Sequence, residues 1–252
     1  GVIDAANVWR VMFLIGGAPI ILAVISARML GETETWLRLK RQGALPKSAM
    51  NAYVEMFRHP LERRNLYFGT AISAAAIIGL WAIGEYAIDL QDVIFTNYYL
   101  ADHTAAATKI LVAEAKNWSY ILQMIGGGAG MAAFGWAAQR WGRRPTFVGA
   151  FLATFVTTAL AYWYMQSPAD AYWMMPIMYF FQLGILAGFS IYLPELFGAR
   201  YRGTGVSFAY NFGRFAAAGG SFFSALMTTK VFAGLPSPLP LRYAAIMMCV
   251  IF

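Results

Sequence analysis

The sequence has little charge, one cysteine and two histidines. Only 12% of its 252 residues are charged, whereas 60% are hydrophobic. Soluble domains carry about a quarter of charged residues, so this composition indicates a protein whose solvent is lipid. The single Cys249 excludes a disulfide framework and a cysteine metal site, and His59 and His103 lie far apart in the chain. No metal, no cofactor and no nucleophile–base set is therefore expected, which argues against an enzyme.

The net charge of +7 comes from basic residues that lie between apolar runs. Such placement is typical of topology signals and of contact with anionic lipid head groups, and it does not favour nucleic-acid binding. By the positive-inside rule, the more basic side is predicted to be cytoplasmic in a multi-pass protein of the inner or plasma membrane. That side carries Arg38, Lys40, Arg41, Lys47, Arg58, Arg63, Arg64, Arg140, Arg143, Arg144, Arg200 and Arg202. The other side carries Arg10, Lys109, Lys116, Lys230 and Arg242.

Long apolar runs predict membrane-spanning helices. Six of them reach the roughly 20 residues that a bilayer requires, and a seventh begins near Tyr243 and stops at Phe252. The runs are continuous, which favours helices over the alternating strands of a barrel. The predicted fold is therefore an all-α integral membrane bundle of about seven transmembrane helices. The six complete spans lie near Val8–Leu30, Leu66–Leu90, Trp118–Ala138, Thr146–Met165, Tyr172–Tyr192 and Ser207–Met227.

Polar connections divide the chain into three predicted parts. Residues 1–30 form the first span, residues 31–65 form a linker, and residues 66–252 form the main transmembrane bundle. The linker is polar enough to leave the bilayer, but it keeps apolar side chains such as Trp36 and Phe57. It is therefore predicted to form one or two amphipathic helices along the cytoplasmic face of the membrane.

Two features accompany the third predicted span. The stretch Gln91–Asn117 before it is predicted to be the longest external connection, with Asn117 near the cap position of the following helix. Within the span, Gly126 and Gly130 have the G-x-x-x-G spacing that favours close packing of two helices in lipid. A nucleotide-binding glycine loop is not favoured, because no strand precedes these glycines.

Three segments on the predicted cytoplasmic side combine glycine, arginine and acidic residues. The first, Gly135–Arg144, has the sequence GWAAQRWGRR. Its glycines allow a tight turn, and its arginines can bond helix carbonyls and acidic groups of neighbouring helices. The second consists of Pro194–Phe197 (PELF) followed by Arg200–Gly205 (RYRGTG), and the third is Gly31–Leu37 (GETETWL).

In their order, these segments resemble three motifs of the major facilitator superfamily: G-x-x-x-D-R-x-G-R-R, P-E-x-x-x-x-x-x-R-G and P-E-S-P-R-W-L. Gln139 departs from the first motif, which has aspartate at that place. On this alignment the chain corresponds to helices 6–12 of such a transporter, with the last helix incomplete. The resemblance is to the sugar-porter-like and metabolite:proton symporter branch. The residues that carry it are Glu32, Gly135, Gln139, Arg140, Gly142, Arg143, Arg144, Glu195, Arg200, Arg202 and Gly203.

The resemblance implies transport by alternating access, in which two six-helix halves move around a site near the bilayer midplane. The chain would form one wall of that cavity. The missing N-terminal half or a partner chain would form the other wall. The resemblance also implies that the cytoplasmic arginine and glutamate residues form gate contacts, and Glu195 is expected to pair with Arg140 or Arg143.

Two carboxylates in the second predicted span are candidates for carrying a proton, the expected coupling ion. Glu85 and Asp89 are four residues apart, so they share one face of a helix. Ionisable residues are costly inside a membrane, and neighbouring carboxylates raise each other's pKa values towards neutral pH. The alternative is that both residues lie at the water interface and simply end the helix.

Residues that can bind a polar solute lie in this span and in two later ones. Arg214 is suited to holding a carboxylate bidentately, or alternatively extends along the helix to the cytoplasmic face. The second span has Gly79–Tyr86 in place of the amide pattern Q-Q-x-x-G-x-N of sugar porters, which argues against a typical hexose carrier. The candidates are Trp81, Tyr86, Gln182, Asn211 and Arg214.

Two hypotheses about function follow from these observations. The first is a proton-coupled secondary transporter for a small polar organic solute, such as a carboxylate, a sugar acid or a sugar. The second is a transport-inactive half-transporter that acts as a membrane scaffold or sensor subunit.

Overall fold

Helices form all the regular secondary structure in the part of the chain that the computed structural model describes. That part is residues 7–252, without the side chains of Val8, Ala82 and Glu85. The predicted all-α membrane bundle is thereby confirmed. The chain divides between Pro46 and Lys47 into two compact units.

The first unit holds α1 (Val8–Gly17), α2 (Pro19–Met29) and α3 (Glu34–Arg41). Pro19 begins α2, where its missing N–H costs nothing because the first helical position needs no donor. The segment Trp9–Met29 is long and apolar enough to cross a membrane, which confirms the first predicted span. In α3, the Lys40 ammonium lies 4.7 Å from the centre of the Trp36 ring.

The second unit holds eight α-helices and three short helical stretches of other kinds. The stretch Ile78–Ile83 is π-helical and makes α5 and α6 one continuous element, and a second π-helical stretch, Met227–Val231, follows α10. The described chain ends in a 3-10 turn at Cys249–Ile251. The α-helices are α4 (Ala49–Arg58), α5 (Pro60–Ile77), α6 (Gly84–Leu100), α7 (Ala105–Arg140), α8 (Arg143–Tyr164), α9 (Pro168–Leu196), α10 (Arg202–Leu226) and α11 (Leu239–Met248).

Five helical segments of the described chain are long and apolar enough to span a membrane. They are Trp9–Met29, Pro60–Leu100, Ala105–Arg140, Arg143–Tyr164 and Pro168–Leu196. The sixth predicted span, except for its last residue Met227, lies within α10, which has 25 residues. Asn211, Arg214 and several glycines make α10 less apolar than the other five segments. The last apolar helix begins at Leu239, before the predicted start at Tyr243.

The predicted connection Gln91–Asn117 is helical over most of its length, and the predicted cap at Asn117 is wrong. The external location of this connection stays a prediction. Helix α6 continues to Leu100 and α7 begins at Ala105, so only a short turn separates them. Thr104 caps α7, and its hydroxyl accepts a hydrogen bond from the Ala107 N–H, whereas Asn117 lies inside the helix. The polar residues of this stretch do not end the helices, because the backbone hydrogen bonds of a helix persist in water.

The close approach of α7 and α9 depends on glycine. A Cβ atom on Gly130 would overlap the carbonyl oxygen of Phe180, and one on Gly126 would lie 2.7 Å from the Pro176 Cα. On the facing helix, a Cβ on Gly184 would lie 3.1 Å from the Gly130 oxygen. This confirms the packing predicted from the G-x-x-x-G spacing, since only residues without a side chain let the two backbones come this near.

Arg242 joins the beginning of α11 to the end of α8. Arg242 is 7% exposed, and its Nη1 donates a hydrogen bond to the Tyr162 carbonyl oxygen at 2.9 Å. Its guanidinium also donates to the carbonyls of Trp163 and Met165. The last carbonyls of a helix have no intrahelical donor, and a cation there also complements the helix dipole. Arg242 therefore acts as the C-terminal cap of α8.

Replacing Arg242 with methionine should lower the free energy of unfolding by about 1.5–3 kcal/mol, the usual contribution of hydrogen bonds to a charged group. Thermal unfolding of the detergent-purified protein measures this change. Lys230→Met removes an exposed cation from the same end of the bundle and should leave the transition unchanged. Equal transitions for both variants would contradict the capping role.

Candidate functional site

A hollow of about 260 Å³ brings two of the predicted solute-binding residues together. It lies between α5, the π-helical stretch Ile78–Ile83 and α10, and Trp81 and Arg214 both line it. The Trp81 side chain is 52% exposed. Among the described residues, no carboxylate forms an ion pair with Arg214. Arg214 itself is exposed.

The position of Arg214 follows from the glycine that precedes it. A Cβ on Gly213 would lie 3.1 Å from the Ala74 nitrogen and 3.0 Å from the Ile77 side chain. Glycine therefore lets α10 pack directly against the backbone of α5, and the next residue, Arg214, stands at the edge of this contact. Trp81 is placed by the π-helical stretch, a type of helical irregularity that is frequent at functional sites.

The other predicted solute-binding residues lie outside this hollow. Asn211 is exposed, and its amide donates to the Ser207 carbonyl at 2.8 Å. Gln182 is buried inside the bundle, where its amide donates to the Thr158 hydroxyl at 3.2 Å and its Oε1 has no hydrogen-bond partner. Gln182 therefore faces α8 and the beginning of α6 and does not line the hollow with Arg214. Tyr86 is partly buried on α6.

Asp89 and Glu85 both lie on α6, as their spacing predicts. Asp89 is exposed, and it forms no ion pair within the described residues. The side chain of Glu85 lies outside the described residues, so their pairing stays a prediction.

Arg143 links three helices at the basic end of the bundle, which we define by Arg140, Arg143, Arg144, Arg200 and Arg202. Its Nη2 and Nε atoms donate to the two Glu195 carboxylate oxygens at 2.8 and 3.2 Å. Its Nη1 donates to the Ala138 carbonyl near the end of α7 at 2.9 Å. Of the two partners expected for Glu195, the structure thus selects Arg143, which begins α8. Arg140 instead lies over the Trp136 ring, 6.0 Å from its centre.

The turn between α7 and α8 requires glycine at one motif position. Gly142 has a φ of +90° and a ψ of 162°, a region that is essentially restricted to glycine. A Cβ on Gly135 or Gly203 would contact nothing within 4 Å. Of these three motif glycines, only Gly142 is required by its backbone conformation, whereas Gly135 and Gly203 have space for a side chain.

Substitution of Gly142 with alanine should destabilise the protein by about 1–3 kcal/mol, the usual cost of a residue forced into this region. Gly135→Ala is the matched control, and better helix propensity should make it neutral or stabilising by up to about 1 kcal/mol. Thermal unfolding of the two purified variants compares them directly. Equal losses in both would show that the turn conformation is not the reason for the glycine.

A second ion pair at the basic end was not expected from the sequence. The Glu55 carboxylate on α4 accepts hydrogen bonds from Arg200 Nη2 and from the Tyr201 hydroxyl, both at 2.7 Å. The Tyr201 bond, together with the Arg200 charge, lowers the pKa of Glu55 below its ordinary value. The contact is therefore present at neutral pH and is lost as the pH falls through that lowered pKa. Each partner lies on a segment predicted to be cytoplasmic, but only the fold brings them together.

The remaining predicted gate residues are exposed and form no ion pair in the described part of the chain. Glu32 lies in the first unit, on the connection before α3. The others are Gln139, Arg144 and Arg202. Their part in a gate stays a prediction.

Two transport proteins are distantly similar to this chain. One, from Cupriavidus pinatubonensis, is described as a probable 4-methylmuconolactone transporter; it is 25% identical over 226 residues, covering 88% of this chain and 47% of the relative. The other, from Acinetobacter baylyi, is described as a cis,cis-muconate transport protein; it is 26% identical over 216 residues, covering 83% of this chain and 48% of the relative. No family model and no solved structure matches the chain. The chain thus spans about half the length of these two transport proteins, and its apolar helices make it a multi-pass membrane protein.

Proposed function

We propose that the chain forms one half of a secondary transporter that carries a small organic acid. The observation that carries this proposal is Arg214, which lies in a hollow beside Trp81 without an acidic partner among the described residues. A guanidinium presents a planar fork of donors that matches a carboxylate bidentately. The distant similarity to two transport proteins supports the same conclusion.

The proposed substrates are unsaturated carboxylates of the muconate class. The two relatives are named for cis,cis-muconate and for 4-methylmuconolactone. Both compounds carry at least one carboxylate on an unsaturated carbon framework. In the hollow, Arg214 would bind the carboxylate, and the Trp81 ring would pack against the flat framework.

Alternating access requires a second wall, which the rest of a longer chain or a partner chain would supply. By the resemblance to the major facilitator fold, residues 1–30 correspond to helix 6, residues 31–65 to the linker and residues 66–252 to the C-terminal bundle. The basic end is proposed to be cytoplasmic. The pairs Arg143–Glu195 and Glu55–Arg200 would then close the inner side in one state and open in the other.

Uptake by the full-length protein in proteoliposomes tests this function. Labelled cis,cis-muconate should accumulate when an inward proton gradient is applied, unlabelled muconate should compete, and glucose should not. If no labelled organic acid entered the proteoliposomes, that result would contradict transport and favour the scaffold hypothesis.

Proton coupling is proposed to depend on Asp89, with Glu85 on the same helix. Asp89→Asn cannot take up a proton, so it should abolish the acceleration of uptake by the gradient while exchange of internal for external substrate continues. Asp102→Asn, which changes an exposed carboxylate in the turn after α6, is the matched control. Gradient-driven accumulation that survives in Asp89→Asn would exclude this role.

A further inference from the structure

We propose that an acyl chain of an anionic phospholipid occupies a hollow between α7, α8 and α9, with its head group against Arg140. The hollow measures about 310 Å³ and is separate from the one that Arg214 lines. Its size is at the lower end of the range of about 300–1,000 Å³ that is usual for small-molecule sites. This inference rests on the membrane location of the helices and not on the proposed transport function.

Small residues create the hollow, and aromatic rings wall it. Gly130, Gly149 and Gly184 line it from the three helices, and Trp136, Trp141 and Phe181 form part of its wall. Gly130 and Gly184 lie where α7 and α9 touch, whereas Gly149 is open. A Cβ on Gly149 would meet nothing within 4 Å, so the space continues beside α8. The lining is almost entirely apolar, so a hydrocarbon chain fits this hollow better than a polar occupant does.

The dimensions favour a lipid chain over a protein helix. A helix with side chains is about 10 Å wide, so it could lie over a hollow of about 310 Å³ but could not enter it. An extended hydrocarbon chain is much thinner and can enter between the three helices.

The charge at the mouth of the hollow selects the head group. The guanidinium of Arg140 lies 6.0 Å from the centre of the Trp136 ring, and the Trp136 and Trp141 rings meet edge to face at 5.5 Å. Arg143 is engaged by Glu195, whereas Arg140 and Arg144 are exposed and have no acidic partner in the described residues. Tryptophan is typical of the membrane interface, and free arginines there attract anionic head groups. Arg140 thus provides the complementary charge directly beside an apolar slot.

Photolabelling of the full-length protein in lipid nanodiscs tests the site. The nanodiscs contain phosphatidylcholine with a small share of phosphatidylglycerol that carries a photoreactive group on its acyl chain, and labelled peptides are identified by mass spectrometry. Labelling is expected on the hollow-lining parts of α7, α8 and α9. Gly149→Leu, which fills the hollow, should reduce this labelling several-fold. Gly128→Leu is the matched control, because Gly128 is an equally open, exposed helical glycine outside the hollow and its labelling should match the wild type.

The head group is tested by comparing photoreactive phosphatidylglycerol with photoreactive phosphatidylcholine. The wild-type protein should prefer phosphatidylglycerol, and Arg140→Gln should reduce that preference about fivefold, the contribution of one basic residue at an anionic surface. If Gly149→Leu were labelled as strongly as the wild type, the acyl-chain site would be overturned. Equal labelling of the wild type by the two lipids would overturn the role of Arg140.

Discussion

Replacing Gly130 with valine is expected to destabilise the protein severely, by about 3 kcal/mol or more. Even the first carbon of the new side chain would overlap the Phe180 carbonyl oxygen and lie 2.7 Å from the Phe180 Cα. Backbone atoms cannot rotate away as a flexible side chain can, so α7 and α9 would have to separate along their length. Overpacking of a well-packed interior usually costs about 1–3 kcal/mol, and a clash with backbone lies at or above the upper end of that range. The full-length variant should therefore aggregate or be degraded during expression.

Gly128→Val provides the control for this result. It places the same residue two positions away in the same helix, where a Cβ would meet nothing within 4 Å. Valine has a slightly better helix propensity than glycine, so no loss of stability is expected. Size-exclusion chromatography in detergent separates the two outcomes: Gly128→Val should elute as a single folded species and Gly130→Val should not. A folded Gly130→Val protein with an unchanged unfolding temperature would contradict the observed helix contact.

Arg214→Ala is expected to weaken the binding of muconate, so that the concentration that half-saturates uptake rises roughly 10-fold to 150-fold. Hydrogen bonds to a charged group contribute about 1.5–3 kcal/mol, and this range corresponds to that loss of affinity. Arg214→Lys keeps the charge but not the planar fork, so it should retain part of the affinity. The concentration of muconate that half-saturates uptake into proteoliposomes is the quantity to measure.

Lys230→Gln controls for loss of positive charge, since Lys230 is an exposed cation just beyond the same helix, in its π-helical extension. It should transport muconate as the wild type does. Unchanged half-saturation in Arg214→Ala would favour the alternative in which this side chain only reaches towards the head groups. Trp81→Ala should weaken binding less than Arg214→Ala, because it removes a packing surface and not the carboxylate partner.

Several features of the fold follow from the sequence because they depend on local chemistry. The spacing of Gly126 and Gly130 predicts a tight helix contact, and the structure confirms it at α9. Five of the predicted spans coincide with apolar helices of the structure. This agreement is expected because backbone N–H and C=O groups must be hydrogen-bonded in lipid, and a helix satisfies them within one segment. Helix ends were harder to predict. Polarity reports where a helix meets water, so the continuation of α6 to Leu100 and the start of α7 at Ala105 have no signal in hydropathy alone.

The candidate site was predicted only in part, for a different physical reason. Arg214 and Trp81 stand out in the sequence as a charge and an aromatic residue in lipid-like surroundings, but their shared hollow depends on Gly213 and on a π-helical stretch. Gln182 has the same polar character, yet it turns to the inside of the bundle. The contact of Glu55 with Arg200 joins residues 145 positions apart, a separation that no local pattern reports.

The cap that Arg242 places on α8 has a consequence for synthesis at the ribosome. Its carbonyl partner Tyr162 is made 80 residues earlier, so the end of α8 enters the membrane before its donor exists. Until Arg242 emerges, those carbonyls must be satisfied by water at the bilayer surface or by the insertion machinery. The region around α8 can therefore complete its native contacts only after α11 has been translated. Nascent chains arrested before Arg242 should accordingly be digested by protease near the end of α8, and chains arrested well after it should be protected there.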